Sequence, residues 1–318
     1  MESPVNVRLR SISATLVVLC ALLFLPEART QALAAPDERG ARTFVKQFVF
    51  GDVVIEASIR GSGETIVLIP GHGMSVDSFS ALAGRLDKAG YRTVAINPRG
   101  IDGSSGPLEK LTLRDHAGDV AAVVEALGLR RVHVLGHAYG NRVARTLAIV
   151  RPDLVQTVML LAAGGRVGPL PEVIKASEKL ANRKLTDKEK LEAARVIFFA
   201  STSDPSPWVN LKMWEAASKA QLAAMRATPV ESWWSGGNAP MLVVQGLEDK
   251  MAPPENGRAL REEFGARVTL VELRDAGHAL IIEQPEAIAK AICAFLKSKR
   301  NKPTATSGSS RRRSDALS

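Results

Sequence analysis

The chain has 318 residues, of which 46% are hydrophobic and 24% are charged, with 25 glycines and 17 prolines. This composition excludes a collagen-like, coiled-coil or intrinsically disordered protein. The length allows two average domains, but a single α/β domain of about 250 residues also fits it. The chain is therefore long enough to bury a large hydrophobic core.

The formal net charge of +9 is unevenly distributed along the chain. Residues 297–318 contain seven Lys and Arg residues against one Asp, a net +6, whereas residues 35–296 carry only +2. A basic face for nucleic acid on the folded body is therefore not expected. The polar, basic segment 298–318 is predicted to be a disordered tail.

The amino terminus is typical of an export signal. Arg8 and Arg10 precede the apolar stretch Ile12–Leu25, and small residues suited to a signal peptidase follow. The stretch is shorter than the roughly 20 residues of a membrane span, although an uncleaved anchor is the alternative. We predict a signal peptide over 1–34, an exported protein that is periplasmic or secreted, and no membrane span after its removal. Cys293 would then be the one thiol, which excludes an internal disulfide.

After this segment, the sequence alternates between strand and helix patterns. Two β-prone runs flank Gly51-Asp52 and predict a hairpin, because two-residue loops need the positive φ that glycine adopts. Six short apolar runs then follow, typical of parallel strands covered on both faces, with helix-like stretches between them. This order predicts a doubly wound α/β sheet, whose sites gather at the carboxyl ends of the strands. The predicted strands are Thr65–Ile69, Thr93–Ile96, Val132–Leu135, Val155–Leu161, Met241–Val244 and Val268–Leu273, and the predicted helices are Ser78–Ala89, Arg114–Leu127, Asn141–Val150, Pro254–Phe264 and Pro285–Leu296.

Residues 165–238 interrupt this alternation between two predicted strands. The segment is rich in proline and charge, and contains all four tryptophans: Trp208, Trp214, Trp233 and Trp234. Large amphipathic rings in such an insertion predict a helical cap over a ligand pocket. The alternative is that the rings only attach the insertion to the body of the protein.

The segment Leu135–Gly140 reads Leu-Gly-His-Ala-Tyr-Gly and lies between a predicted strand and a predicted helix. This is the context of the G-x-S-x-G nucleophile elbow, a sharp turn that leaves no room for side chains at its glycines. Over residues 42–297 the chain resembles the α/β hydrolases of the capped, single-domain type. The other motifs that carry this resemblance, in the order of the family, are Pro70–Met74, Asn97–Gly100, Gln245–Asp249 and Ala276–His278.

The resemblance implies a mostly parallel twisted sheet flanked by helices, with a helical cap insertion at about 165–238. It also implies that Asp249 is the acid and His278 the base of a catalytic triad. Backbone N–H groups of Tyr139 and Met74 would form the oxyanion hole. His72 and Gly73 would shape the loop that carries it.

Ala138 stands at the apex of the elbow, where the family has serine, aspartate or cysteine. Alanine cannot attack a carbonyl carbon, so the covalent route is closed. Loss of a triad nucleophile costs on the order of 10⁶ in kcat. Four serines follow other predicted strands, and nothing in the sequence directs them toward the base: Ser75, Ser78, Ser104 and Ser105.

Three interpretations of Ala138 remain open. The first is an exported hydrolase of a small, largely apolar ester- or acyl-type compound, in which His278 activates water without a covalent intermediate. The second is a non-catalytic pseudoenzyme or small-molecule-binding protein, in which Asp249 and His278 are only a hydrogen-bonded pair. The third is that the alanine was introduced to trap a substrate. The sequence leaves open whether the chain is an enzyme, and which oligomer it forms.

No cofactor is expected. The five histidines lack the spacing of a metal site, and no glycine-rich phosphate loop follows a predicted strand. His116 and His133 are interpreted as helix and strand residues without a functional role. The expected partner is therefore a small-molecule ligand or substrate.

Overall fold

The computed structural model describes residues 30–33, 43–180, 185–210 and 212–300. These residues form one sheet of nine strands with helices on both faces. The strands are β1 (Thr30–Leu33), β2 (Thr43–Phe50), β3 (Val53–Arg60), β4 (Glu64–Ile69), β5 (Tyr91–Ile96), β6 (Val132–His137), β7 (Val155–Leu161), β8 (Met241–Gly246) and β9 (Val268–Leu273). The helices are α1 (Ser80–Lys88), α2 (Leu113–Ala126), α3 (Tyr139–Val150), α4 (Pro171–Leu180), α5 (Asp187–Phe198), α6 (Glu215–Ala227), α7 (Glu255–Phe264), α8 (Leu280–Glu283) and α9 (Pro285–Arg300).

The sheet combines an antiparallel edge with a parallel body. Its strand order is β1-β2-β3-β5-β4-β6-β7-β8-β9, and all pairs from β5 to β9 in that order are parallel. Strands β2 and β3 form the predicted hairpin, with Phe50 opposite Val53 and with Gly51 at φ +63° in the turn. The predicted mostly parallel α/β sheet is thus confirmed.

Helices cover both faces of the sheet. The cluster on one face joins strand residues such as Val134 to Val124 of α2, Leu147 of α3 and Leu260 of α7. The opposite cluster includes residues of α1 and α9. Every residue of β6 and β8 is buried, as expected for parallel strands covered on both sides.

The order of the strands creates a crevice at the carboxyl end of the sheet. The chain passes from β4 outward to β5 and then returns to β6 on the other side of β4. Ligands of doubly wound proteins bind where the direction of winding reverses in this way. The loops that follow β4 and β6 therefore border the crevice in which a ligand is expected to bind.

The segment between β7 and β8 forms α4, α5 and α6, the helical insertion that the sequence predicts. For two of its tryptophans the structure supports the alternative, in which the rings attach the insertion to the body of the protein. Trp233 and Trp234 are 1% and 2% exposed and belong to the main core rather than to a cap over a pocket. Both rings lie against the guanidinium of Arg145 on α3, with its Cζ at 4.4 and 5.3 Å from their centroids.

The described residues extend into both of the terminal segments that the sequence analysis sets apart. Strand β1 pairs with β2 inside the segment that was assigned to the end of an export signal. Helix α9 continues beyond Leu296 to Arg300, where basic residues of the last turn suit the negative end of the helix dipole. The rest of the predicted signal and tail lies outside the described residues. Within the described ranges, no helix is both long and apolar enough to cross a bilayer.

Candidate active site

The turn from β6 to α3 is a sharp elbow with Ala138 at its apex. Ala138 has φ +48° and ψ −107°, a conformation that residues with a side chain rarely adopt. A Cβ on Gly136 would lie 2.2 Å from the carbonyl carbon of Gly140, and one on Gly140 would lie 2.1 Å from the oxygen of Ile69. Both glycines are therefore required sterically, as the sequence motif predicts.

Asp249 and His278 lie together at the carboxyl ends of β8 and β9. Nδ1 of His278 is 3.0 Å from Oδ2 and 3.1 Å from Oδ1 of Asp249. The carboxylate of Asp249 is fully enclosed, and the side chain of His278 is 11% exposed. Because a carboxylate only accepts, Nδ1 carries the proton and a neutral His278 holds its lone pair on Nε2. His278 is thus prepared to take up a proton at Nε2.

Besides His278, three N–H donors hold the carboxylate of Asp249 in place. Backbone N–H groups of Met251 and Ala252 donate to Oδ1 at 3.0 and 2.7 Å. Nε2 of Gln245 donates to Oδ2 at 3.3 Å and also to the carbonyl of Ala252 at 2.6 Å. Oε1 of Gln245 accepts the N–H of Ala163 at 2.9 Å. This buried amide fixes the acid, and no motif in the sequence indicated its role.

The backbone around His278 is fixed from three sides. Nε2 of His137 donates to the carbonyl of His278 at 2.9 Å, which links the residue before Ala138 to the base. The N–H of Gly277 donates to Glu283 at 2.7 Å, and the N–H of Ala279 donates to the carbonyl of Phe198 at 2.7 Å. Full burial lowers the pKa of His137 to about 3, so this ring stays neutral and acts as a structural donor.

The loop after β4 contacts α6 of the insertion. The N–H of Gly73 donates to Oε1 of Gln221 at 2.7 Å, and its carbonyl accepts from the N–H of Trp214 at 3.2 Å. Nε2 of His72 lies 2.9 Å from the carbonyl of Ser218. Burial lowers the pKa of His72, so the neutral ring donates this bond.

The expected oxyanion donors are backbone N–H groups of the loops that follow β4 and β6. The N–H of Met74 donates to the carbonyl of Gly71 at 3.2 Å, and that of Gly73 is bound by Gln221. The N–H groups of His72 and Tyr139 are not engaged in this way within the described part of the chain, so both are candidates to bind an oxyanion. The assignment of Met74 as a donor stays a prediction.

Three aromatic residues of the insertion lie near His278 or the loop after β4. The ring of Trp208 stacks on Phe198 at a centroid distance of 3.8 Å, and Phe198 lies 6.2 Å from the ring of His278. Trp214 lies against the loop at Gly73. A role of Trp208 and Trp214 in covering a ligand stays a prediction.

The other motifs of the resemblance support the loops around the site. Arg99 pairs in two hydrogen bonds with Asp119, at 2.8 and 2.7 Å. Oδ1 of Asn97 accepts the N–H of Val76 at 2.9 Å and so holds the segment that follows the oxyanion loop. His133 contacts Thr157 at 2.9 Å within the sheet.

No serine replaces the missing nucleophile in the described part of the chain. The hydroxyl of Ser104 donates to the carbonyl of Asn97 at 2.8 Å, and that of Ser78 to the carbonyl of Ser75 at 2.8 Å. The hydroxyl of Ser75 accepts from Asp77, and none of these groups is bonded to His278. Nor does this part of the chain contain a group of three or more His, Cys, Asp and Glu side chains placed to hold a metal ion.

Two family models match the chain, one described as the alpha/beta hydrolase fold over residues 64–197 and one as TAP-like protein over residues 208–307. A protein from Mycobacterium tuberculosis that carries the name of a non-heme bromoperoxidase, BpoC, is 28% identical over 75% of this chain and 96% of its own. A protein from Variovorax paradoxus that carries the name of a carbamate hydrolase, RutD, is 26% identical over 74% of this chain and 92% of its own.

Solved structures show the same architecture. The structure of BpoC is similar with a TM-score of 0.66 and 24% identity over 77% of this chain and 96% of that one. The enol-lactonase from Burkholderia xenovorans is similar with a TM-score of 0.65 and 24% identity over 79% and 99% of the two chains. With the elbow, the acid and the base in the family's order and at the family's edge of the sheet, the chain belongs to the α/β-hydrolase superfamily.

Proposed function

We propose that the protein is a hydrolase of small ester- or acyl-type compounds in which water, activated by His278, replaces the covalent nucleophile. The observation that carries this proposal is the complete Asp249–His278 pair beside an elbow that retains its strained backbone at Ala138. The relative that carries the name of a carbamate hydrolase supports a reaction at a carbonyl carbon bonded to a heteroatom.

The chemistry needs one water molecule and no group beyond the residues described. Nε2 of His278 removes a proton while the water oxygen forms a bond to the carbonyl carbon, and Asp249 stabilises the imidazolium. The negative charge that develops on the carbonyl oxygen is stabilised by the N–H groups of His72 and Tyr139. When the tetrahedral intermediate collapses, the bond to the leaving group breaks and His278 returns its proton to that group. Acid and alcohol, or acid and amine, are the products.

The small side chain at position 138 supports a reaction in which water is the nucleophile. Ala138 is partly exposed and lacks the hydroxyl that a serine would place at the apex of the elbow. A site for water needs polar partners, and the imidazole and these N–H groups supply them. When a triad residue is removed, the oxyanion hole and substrate binding still give about 10³–10⁴-fold over the reaction in water, so a slow activity is expected without a nucleophile.

The test is hydrolysis of a panel of aryl esters and carbamates by the wild-type chain and by His278→Ala. We expect turnover without an acyl-enzyme burst, and a fall to the buffer rate in the variant. Asp249→Asn should reduce the rate strongly, because the amide favours the wrong tautomer of the base. Unchanged turnover in His278→Ala would refute the mechanism.

A non-catalytic binding protein is the second candidate, favoured by the absence of a nucleophile at Ala138. In that case a ligand raises the Tm of the protein by mass action and is recovered unchanged after long incubation. Recovery of hydrolysed ligand, in amounts above those from the His278→Ala variant, would exclude this candidate.

We also propose that the protein is exported through its amino-terminal segment. Cleavage next to Ala35 would remove β1 and leave β2 at the edge of the sheet. The mass of the protein from the periplasmic or medium fraction tests this. An intact mass in the cytoplasmic fraction alone would refute it.

A further inference from the structure

Arg142 carries a positive charge that has no partner in the described part of the chain. It lies on the first turn of α3, four residues after Ala138, and its guanidinium makes neither a hydrogen bond nor an ion pair there. Its Cζ lies 5.2 Å from the ring centroid of Trp233. The residue as a whole is partly exposed, and burial lowers the pKa of its guanidinium. Arginine is rarely left unpaired in such surroundings, because its desolvation is costly.

The next arginine on α3, Arg145, has a structural role and serves as a comparison. Arg145 is fully buried, and its Nη2 donates to Oδ1 of Asn141 and to the carbonyl of Gly164, both at 2.6 Å. Its guanidinium also lies closer to the ring of Trp233, at 4.4 Å. Arg145 thus fixes the core, whereas the guanidinium of Arg142 makes no such hydrogen bonds within the described residues.

The guanidinium of Arg142 lies at the edge of the sheet that carries the candidate site. A Cβ on Gly164, after β7, would be 3.5 Å from Nη2 of Arg142 and 3.6 Å from Cβ of Ala252. Ala252 is the residue whose N–H donates to Asp249. Arg142 therefore lies beside the segment after β7 and near the loop of the acid. Burial lowers the pKa of His72 on the oxyanion loop, and the charge of Arg142 adds to that effect.

Two enclosed N–H donors next to the oxyanion loop also lack acceptors. Nε2 of Gln221 is buried without a partner, although Oε1 of the same amide is bound to the N–H of Gly73. Nε1 of Trp214 is likewise buried and unpaired. An unpaired buried donor loses its hydration without compensation, so both groups favour a ligand rich in oxygen acceptors.

The geometry points to Arg142 as the residue that binds an anionic group of the ligand, namely a carboxylate. The carboxylate offers up to four acceptor sites to a planar guanidinium and to neighbouring N–H donors. The substrate would then be an ester or acyl compound that also carries a free carboxylate, rather than one that is apolar throughout. This inference rests on the proposed function for the statement that the ligand is a substrate, and its binding test does not depend on turnover.

The binding test compares phenylacetate with its neutral analogue phenylacetamide by titration calorimetry on the full chain. We expect wild type to bind phenylacetate about 10- to 100-fold more tightly than the amide, the range of a charge-assisted pair. Arg142→Met should abolish this preference, and Arg142→Lys should restore part of it. Arg166→Met is the matched control, since Arg166 lies 4.7 Å over Trp234 but pairs with Glu263 at the surface.

The Tm of the ligand-free protein separates binding from a structural role. Methionine keeps apolar contact with Trp233 and removes an uncompensated charge, so the Tm of Arg142→Met should equal or exceed that of wild type. A lower Tm, or an undiminished preference for phenylacetate in Arg142→Met, would overturn the inference.

Turnover distinguishes this inference from the proposed function. The substrates are mono-4-nitrophenyl succinate, with a free carboxylate, and its methyl ester. Loss in Arg142→Met of a roughly 10-fold preference for the free carboxylate supports both proposals. Turnover that needs His278 but shows no such preference retains the hydrolase and rejects the role of Arg142. Carboxylate binding that needs Arg142, without any turnover, retains the role of Arg142 and rejects the hydrolase.

Discussion

Ala138 has a strained backbone conformation, although its methyl side chain takes no part in catalysis. A residue forced into such a sparsely populated region costs about 1–3 kcal/mol, and it persists because the surrounding structure imposes it. Here the N–H of Ala138 donates to Leu161 at 3.0 Å, and its carbonyl accepts from Asn141 at 3.2 Å. The turn places the N–H of Tyr139 at the carboxyl edge of the sheet. The backbone of the elbow therefore remains useful without a nucleophile.

Ala138→Ser should convert the protein into a conventional esterase. The new hydroxyl would be exposed at the apex, near the base, and the oxyanion donors need no change. Since loss of a triad serine costs on the order of 10⁶ in kcat, we expect a gain of several orders of magnitude on aryl esters. A burst of released phenol equal to the enzyme concentration should accompany it.

The double variant Ala138→Ser, His278→Ala is the control for this gain. A hydroxyl activated by the dyad depends on His278, so the added activity should vanish in the double variant. No gain in Ala138→Ser, with Tm unchanged, would show that the carbonyl is not presented to the apex and would count against the proposed function.

Gly140 should tolerate no side chain. A Cβ there would meet the carbonyl oxygen of Ile69 at 2.1 Å, which is backbone and cannot rotate away. We expect Gly140→Ala to lower the free energy of unfolding by at least about 2 kcal/mol, measured by denaturant titration. Gly118→Ala, within α2 and with no atom within 4 Å of the added methyl, is the control and should add about 0.5–1 kcal/mol. Equal effects of the two substitutions would contradict the packing described.

At the scale of elements, α6 and its N-terminal flank are hydrogen-bonded directly to the oxyanion loop. Three hydrogen bonds join them, through Gln221, Trp214 and Ser218. Gly73 has φ +65°, and a Cβ on it would lie 2.9 Å from Cε of Met213. A displacement of α6 therefore moves the loop that carries the N–H of His72.

Gln221→Leu should test this coupling. Leucine fills the site but leaves the buried N–H of Gly73 without an acceptor, at a cost of about 1–3 kcal/mol in the free energy of unfolding. Because the oxyanion loop loses its anchor, kcat should fall by about 10-fold or more, and by a larger factor than KM changes. Lys219→Ala, on the exposed face of the same helix, should leave both quantities unchanged. An unaltered kcat in Gln221→Leu would show that the loop is fixed without α6.

At the scale of the whole molecule, the features that could be predicted are those that depend on short stretches of sequence. The elbow, Asp249 and His278 follow strands with strong local patterns, and the predicted sheet is confirmed. The bond between Gly73 and Gln221 joins residues 148 apart, and no local pattern specifies it. For the same reason the supporting amide of Gln245 and the core position of Trp233 could not be predicted. Composition assigns all four tryptophans to one segment, whereas Trp233 and Trp234 pack in the core against Arg145 of α3.

Buried histidines give the molecule a common response to acid. Burial lowers the pKa of His116 from 6.5 to about 4 and that of His137 from 6.5 to about 3. Between these values and 6.5 the unfolded chain binds protons that the native protein does not bind. The stability that these residues contribute is therefore complete above pH 6.5 and is lost as the pH falls toward 4 and below.

This pH dependence of stability can be tested with the substitution His116→Phe. Between pH 7.5 and pH 5, each of the two histidines should remove about 2 kcal/mol from the free energy of unfolding, since one pKa unit corresponds to about 1.4 kcal/mol. His116→Phe keeps the edge-to-face contact with Tyr139, whose ring centroid lies 5.7 Å away, and removes one titrating group. The variant should therefore lose about 2 kcal/mol less than wild type over this interval, as measured by denaturant titration at both pH values. The titration at pH 7.5, where His116 is neutral in both states, corrects for any change in packing. An equal loss in variant and wild type would show that His116 already binds its proton in the native protein at pH 5.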